Sequence, residues 1–150
     1  MTEASIEPFA PAHLDGLVAL VSAEGWTEYS DDAERTHRAL SAPGVTTLVA
    51  IAAGRVVGAI QLQSDGAIQA HVSMLLIDRQ WRGRRLGSAL LREGLERAGG
   101  LRLDIRTRTE GYYERLGASR ALGFRRTRED LGLGARPPAR AGAMRSRSAR

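Results

Sequence analysis

Three strand-like runs follow one another between Val45 and Asp78, and at Asp78 the apolar period changes to that of a helix. Residues 45–52 (VTTLVAIA) and 55–63 (RVVGAIQLQ) are rich in β-branched side chains. Ala53 and Gly54 join them, the short glycine-bearing link of a hairpin. Ser64, Asp65 and Gly66 form a second turn. Residues 67–78 (AIQAHVSMLLID) then read as a third antiparallel strand, more continuously apolar towards its end, as a strand buried on both faces is. Such a meander must cover its apolar faces, and the flanking segments supply the cover.

Before the meander, Ile6 and Phe9 suggest a short first strand bounded by Pro8 and Pro11. Leu14, Leu17, Val18 and Val21 recur at helical spacing up to Gly25. Asp31 and Glu34 form a D-x-x-E capping pattern ahead of a second helix that runs to Leu40 and stops at Pro43–Gly44. After the meander, Leu86, Leu90, Leu91 and Leu95 make one apolar face of a helix ended by Gly99 and Gly100. Residues 101–106 (LRLDIR) alternate as a strand, residues 110–116 support a short helix capped by Gly117, and residues 121–127 read as a last strand. The order is β-αα-βββ-α-β-α-β. It predicts an α+β fold, a mixed and mostly antiparallel central sheet flanked by helices.

A chain of 150 residues, 43% of them hydrophobic, fits one domain around one core. Its net charge of +5 is unevenly placed: all 22 basic residues are arginine, and the last five lie beyond Gly134, where no acid occurs. Residues 1–134 are neutral, so the high pI does not make the body a nucleic-acid surface. The organisation read from this is a domain over residues 1–130 and a basic, disordered tail over 131–150. No apolar run approaches 20 residues, the acidic N-terminal segment lacks a signal-peptide layout, and there is no cysteine. A cytoplasmic protein with no membrane partner is expected. No His, Asp or Glu spacing supports a metal site.

The segment WRGRRLGSALL, Trp81 to Leu91, places arginines and glycines between a strand and a helix. A helix N-terminus presents unpaired N–H groups and a positive dipole end, and both attract phosphate. Gly83 and Gly87 let the backbone curl, Ser88 adds a hydroxyl, and Arg82, Arg84 and Arg85 add fixed charge. Neither a Walker A lysine nor a G-x-G-x-x-G fingerprint is present. From spacing alone, a small phosphate-bearing ligand and a solvated basic turn are both open.

With strand, turn and helix in order, residues 74–91 (MLLIDRQWRGRRLGSALL) resemble the acetyl-CoA-binding segment of the GNAT superfamily of N-acetyltransferases, whose signature is R/Q-x-x-G-x-G/A. Arg82 fills the first position and Gly87 the last, while Arg85 stands where the middle glycine is usual. A second segment, residues 111–117 (GYYERLG), resembles the family's F-Y-E-x-L-G motif, with Tyr113 at the tyrosine position. The family continues directly to G-F, whereas ASRAL intervenes here before Gly123 and Phe124.

The resemblance implies a GNAT-type acyl-CoA N-acyltransferase fold and transfer of an acetyl group from acetyl-CoA to a primary amine by direct attack in a ternary complex. Backbone groups of Leu75, Leu76 and Ile77 would hold the pantetheine arm. The turn and first helical residues Arg82, Gly83, Arg84, Arg85, Leu86, Gly87 and Ser88 would hold the pyrophosphate. Tyr113 would be the acid that protonates the departing thiolate, with Glu24 as the base and Glu28 and His71 as other candidates for it. Trp26 and Tyr29, in EGWTEYS, would border the amine acceptor, or else plug the edge of the core. The alternative function is a non-catalytic acyl-CoA sensor on the same fold. Partners are then acetyl-CoA and an amine, with nucleic acid not expected and a homodimer open through the edge of the last strand.

Overall fold

The computed structural model describes residues 3–109 and 111–133. The chain forms two compact units, Met1–Arg108 and Thr109–Arg150. In the first, strand β1 (Ser5–Pro8) leads through a 3-10 turn to helices α1 (Leu14–Ala23), α2 (Thr27–Ser30) and α3 (Ala33–Leu40). Strands β2 (Val45–Ala52), β3 (Arg55–Ser64) and β4 (Gln69–Ile77) follow, then helix α4 (Leu86–Ala98) and strand β5 (Arg102–Ile105).

The five strands form one sheet in chain order, antiparallel except for the parallel β4–β5 pair. The α+β expectation therefore holds. The β2–β3 link turns through Ala53 (φ 47°) and Gly54 (φ 72°). Two positive φ angles in a row match the twist of paired strands, which is what a two-residue hairpin needs. Asp65 fastens the β3–β4 turn by accepting from the N–H groups of Ala67, Ile68 and Gln69, and these bonds hold its carboxyl below the usual carboxylate range.

Each face of the sheet buries its own cluster. Against α4 lie Leu48, Ile60, Leu62 and Val72 with Leu86 and Leu90 of the helix. Against the N-terminal helices lie Val49, Ala59, Met74 and Leu76 with Leu17, Leu20, Val21 and Leu40. Full burial of a leucine such as Leu62 or Leu90 contributes roughly 1.5–3 kcal/mol. The buried stripe of α4 is Leu86, Leu90, Gly94 and Ala98, while Leu91 and Leu95 are only partly buried. Gly94 permits this, because a Cβ there would stand 2.6 Å from Leu62 Cδ1. The helix can sit that close only with a hydrogen at the contact.

Three local expectations are corrected. Asp32, not Asp31, caps α3, accepting from Arg35 N–H at 2.8 Å, because Asp31 is taken up as the end of the short helix α2. Among the described residues of the second unit only Glu114–Leu116 is helical, as a 3-10 turn closed by Gly117 at φ 87°. Residues 121–127 form no strand: they are irregular and exposed, with Leu122 and Phe124 each 86% exposed. Two apolar side chains among arginines are too few to make a strand face without a ladder partner. The edge on which a homodimer was expected is thus not formed by this segment. Of the expected tail, residues 131–133 are exposed and residues 134–150 lie outside the described residues.

Candidate functional site

The site begins at an irregularity in β4. Gln61 of β3 pairs with Met74, but the next residue, Leu62, pairs with Val72, so Ser73 is an extra residue on β4. A bulge of this kind shifts the side-chain alternation by one and bends the strand. Accordingly Val72 faces the α4 cluster while Met74, two residues on, faces the opposite one. Ser73 Oγ donates to Gln61, at 2.8 Å from the side-chain Oε1 and 3.3 Å from the backbone carbonyl.

The bulge falls where β4 and β5 part. Their parallel ladder covers Gln69↔Arg102 to Val72↔Ile105 and goes no further. Residues 73–77 of β4 keep β3 on one side, and no strand of the described residues lies on the other. At about 3.3 Å per residue this open edge is about 16 Å long. Leu75, Leu76 and Ile77, named from the sequence for a pantetheine arm, all lie on it.

At the end of that edge the chain turns through residues 78–85. Asp78 Oδ1 accepts from Gln80 N–H at 2.9 Å and starts a 3-10 turn. Gly83 (φ 73°) and Arg85 (φ 61°) are both left-handed, and Arg85 is the N-cap of α4. This is a glycine conformation occupied by an arginine, at a cost of roughly 1–2 kcal/mol. The first helical bond runs from Ala89 N–H to Arg85 O at 3.0 Å. The N–H groups of Leu86, Gly87 and Ser88 precede it at the positive end of the helix.

The arginines of the turn divide into two kinds. Arg82 is committed to the protein: its Nε donates to Ile77 O at 3.0 Å and its Nη2 lies 2.8 Å from Glu24 Oε1. Arg79 Nε lies 3.6 Å from the same oxygen. Arg84 stacks on Trp81, 5.0 Å from the ring centre. The Arg85 side chain is exposed and makes no hydrogen bond or ion pair with any described residue. Arg84 and Arg85 are therefore the cations of the turn that are not tied to a carboxylate among the described residues.

Glu24, expected as a base, is brought instead to the arginine turn and ties the end of α1 to it. Trp26 and Tyr29 pack their rings 6.0 Å apart on the core cluster beneath the N-terminal helices. The Tyr29 hydroxyl donates to Gln61 Oε1 at 3.2 Å, so this ring anchors α2 to β3. Glu28 is exposed on α2. In the second unit, Tyr113 packs edge-on against Tyr112 at 4.9 Å. Burial, and then Tyr112 beside it, push the Tyr113 phenol above its ordinary value, so it stays protonated at neutral pH.

Two features were not singled out from the sequence: the buried Gln61 that organises the bulge, and the pairing of His71 with Asp104 across β4 and β5. Both depend on strand register, which apolar patterning does not reveal. A groove of about 430 Å³ lies between α1 and the β2–β3 hairpin, and none of the sequence-predicted site residues lines it. Among the described residues no cluster of metal-ligating side chains occurs, and no helix is long and apolar enough to cross a membrane.

A strand edge opened by a bulge thus runs into an arginine-bearing turn and a helix N-terminus, a combination that attracts anions. Residues 11–130 match the family model for the acetyltransferase (GNAT) domain, and the chain belongs to that family of acyltransferases. Among solved structures, an acetyltransferase from Trypanosoma brucei is 20% identical, with TM-score 0.64 over 83% of this chain and 99% of its own. A ribosomal-protein-alanine N-acetyltransferase from Brucella melitensis is 16% identical, with TM-score 0.67 over 84% and 99%. AAC(6')-Iy, in complex with a bisubstrate analogue that contains CoA and acetylneamine, is 16% identical, with TM-score 0.62 over 83% and 98%. No curated protein matches the chain.

Proposed function

We propose that the protein transfers an acetyl group from acetyl-CoA to the primary amine of a small molecule or peptide, by direct attack in a ternary complex. The observation that carries this is the open edge of β4, leading without a break into the N-terminus of α4. A pantetheine arm carries amides that can pair with a free strand edge, and a pyrophosphate suits the converging N–H groups beyond it. Leu75, Leu76 and Ile77 supply the edge. The backbone of Gly83, Arg84, Arg85, Leu86, Gly87 and Ser88 supplies the cradle, and the guanidinium groups of Arg84 and Arg85 supply charge.

Arg82 is assigned to the brace with Glu24, holding the turn in place from within. Catalysis is mostly positioning, since an amine held against a thioester carbonyl needs little further activation. A free N–H of the β4 edge can stabilise the oxyanion that forms. Tyr113 is assigned as the acid for the thiolate through its place in the GYYERLG motif and its protonated phenol. The bisubstrate analogue bound by AAC(6')-Iy joins CoA to acetylneamine, which supports a site that holds donor and acceptor together.

The test is thiol release from acetyl-CoA in the presence of an amine panel: an amino sugar, a polyamine and a peptide with a free N-terminus. One class should release thiol stoichiometrically with amide formation. Tyr113→Phe should keep acetyl-CoA affinity within about two-fold and lower kcat by about 100-fold. Binding of acetyl-CoA with no thiol release on any amine refutes the transferase reading and leaves the sensor.

A further inference from the structure

The face of the sheet turned away from α4 changes character between its two halves. Over β2 and β3 it is apolar and covered by α3 and α1. Over the paired ends of β4 and β5 it is polar. Val72, Leu103 and Ile105 point into the α4 cluster, so the two-residue period of a strand sends His71 and Asp104 to the other face. They are direct partners in the parallel ladder, with Gln63 of β3 on the other flank of His71.

Asp104 is fixed in place. Its Oδ2 accepts from Gln69 Nε2 at 2.6 Å and lies 3.6 Å from Arg102 Nε, while Arg102 also donates to Gln69 Oε1 at 3.0 Å. His71 is half-buried, and its side chain makes no hydrogen bond or ion pair with any described residue. It stands two residues before the bulge at Ser73, beside the point where β4 loses β5.

We infer that His71 is the general base of the transfer, with Asp104 holding the charge that forms on it. The inference rests on the acyl-transfer reading above. A thioester seated at the fork of β4 and β5 has α4 and its cluster on one side, so the amine comes from the other, where His71 stands. Glu24 is a poor candidate by comparison, because the oxygen that would take the proton is shared between Arg82 and Arg79. The charged groups facing His71 are Asp104 and Arg102 of β5, while β3 presents the neutral Gln61 and Gln63.

The amine arrives as an ammonium ion and gives one proton to the neutral imidazole. The freed lone pair forms the C–N bond and the carbonyl π pair moves to oxygen. Collapse re-forms the carbonyl and breaks the C–S bond, and the sulfur leaves with that pair and takes a proton from solvent. The extra proton on the amide nitrogen passes to solvent, and His71 releases its own to bulk. One proton is released per turnover and nothing is oxidised or reduced.

The experiment uses the whole chain, with kcat/KM measured against pH for the best amine of the panel and acetyl-CoA affinity measured by calorimetry. His71→Gln should lower kcat/KM for the amine at neutral pH about 100-fold or more, with acetyl-CoA affinity within about two-fold. Its acid limb should disappear. Asp104→Asn should lower the rate less and move the acid limb to lower pH, because removing a carboxylate disfavours the imidazolium. An unchanged acid limb in His71→Gln, or a loss confined to acetyl-CoA binding, overturns the inference and leaves the transferase reading intact. Failure of the wild type to release thiol overturns both.

Discussion

Replacing Gln61 with methionine tests the link between core and site most directly. Gln61 is 2% exposed, and its amide serves three partners. Nε2 donates to Ala39 O at 2.9 Å, a carbonyl in the last turn of α3 that the helix itself leaves open. Oε1 accepts from Tyr29 and from Ser73. Methionine matches the volume and keeps none of these bonds. At about 1 kcal/mol net for each, the loss is about 3 kcal/mol, and greater apolar burial returns about a third of it, so about 2 kcal/mol is expected. Against a total of about 5–15 kcal/mol this is large.

Urea unfolding followed by tryptophan fluorescence reads it directly. With a slope of about 1–3 kcal/mol per molar, the midpoint should fall by about 1 M at unchanged slope. The same variant frees the side-chain fastening of the Ser73 bulge, so kcat should fall by more than acetyl-CoA affinity does. A midpoint within about 0.2 M of wild type would refute the reasoning. It would mean that the three partners are equally well served without the amide.

The other predictions concern the arginine turn. Arg85→Gly removes left-handed strain worth roughly 1–2 kcal/mol but adds unfolded-state freedom worth about 0.4–1 kcal/mol, so thermal melting should rise by a few degrees at most. Acetyl-CoA affinity should meanwhile fall about five-fold and become less sensitive to salt in calorimetry; tighter binding would show that the side chain obstructs the phosphate. Glu24→Gln should weaken acetyl-CoA binding several-fold through the loosened Arg82 brace, with the acid limb of the pH–rate profile kept. A loss of that limb would restore Glu24 as the base.

The hairpin was legible because its β-branched runs and its Ala53–Gly54 link each point to the same structure. Helix α4 was legible from its leucine period, and the turn before it from the place of its glycines. The bulge was not, because SMLL reads as an unbroken apolar run whether or not one residue is unpaired. The N-cap of α3 was misplaced by one residue because Asp31 and Asp32 are equally good caps by type, and only the short helix α2 decides between them. The last strand was over-read from Leu122 and Phe124, since two apolar residues at alternate positions state a preference and not a partner. The surroundings of Glu24 were hidden for a related reason. A carboxylate near an aromatic loop suggests acid–base chemistry, and its distance from Arg82 along the chain conceals the ion pair.

The arginines show why composition was a poor guide and position a good one. Arg82 and Arg85 differ in no property that a sequence count records, and they lie three residues apart. One is spent inside the protein, joining a strand carbonyl to Glu24 of α1. The other holds a backbone conformation that glycine would take more cheaply, with its guanidinium in solvent. A cation kept at such a backbone cost, at the mouth of a helix and with its side chain unpaired among the described residues, supports the anion site proposed above. The neutral body of the protein means that this anion is drawn by local geometry, which suits a compact pyrophosphate and gives little purchase to a nucleic-acid backbone. On the proposed reading, binding of the donor therefore turns on Arg85, while the chemistry done with it turns on the fork of β4 and β5.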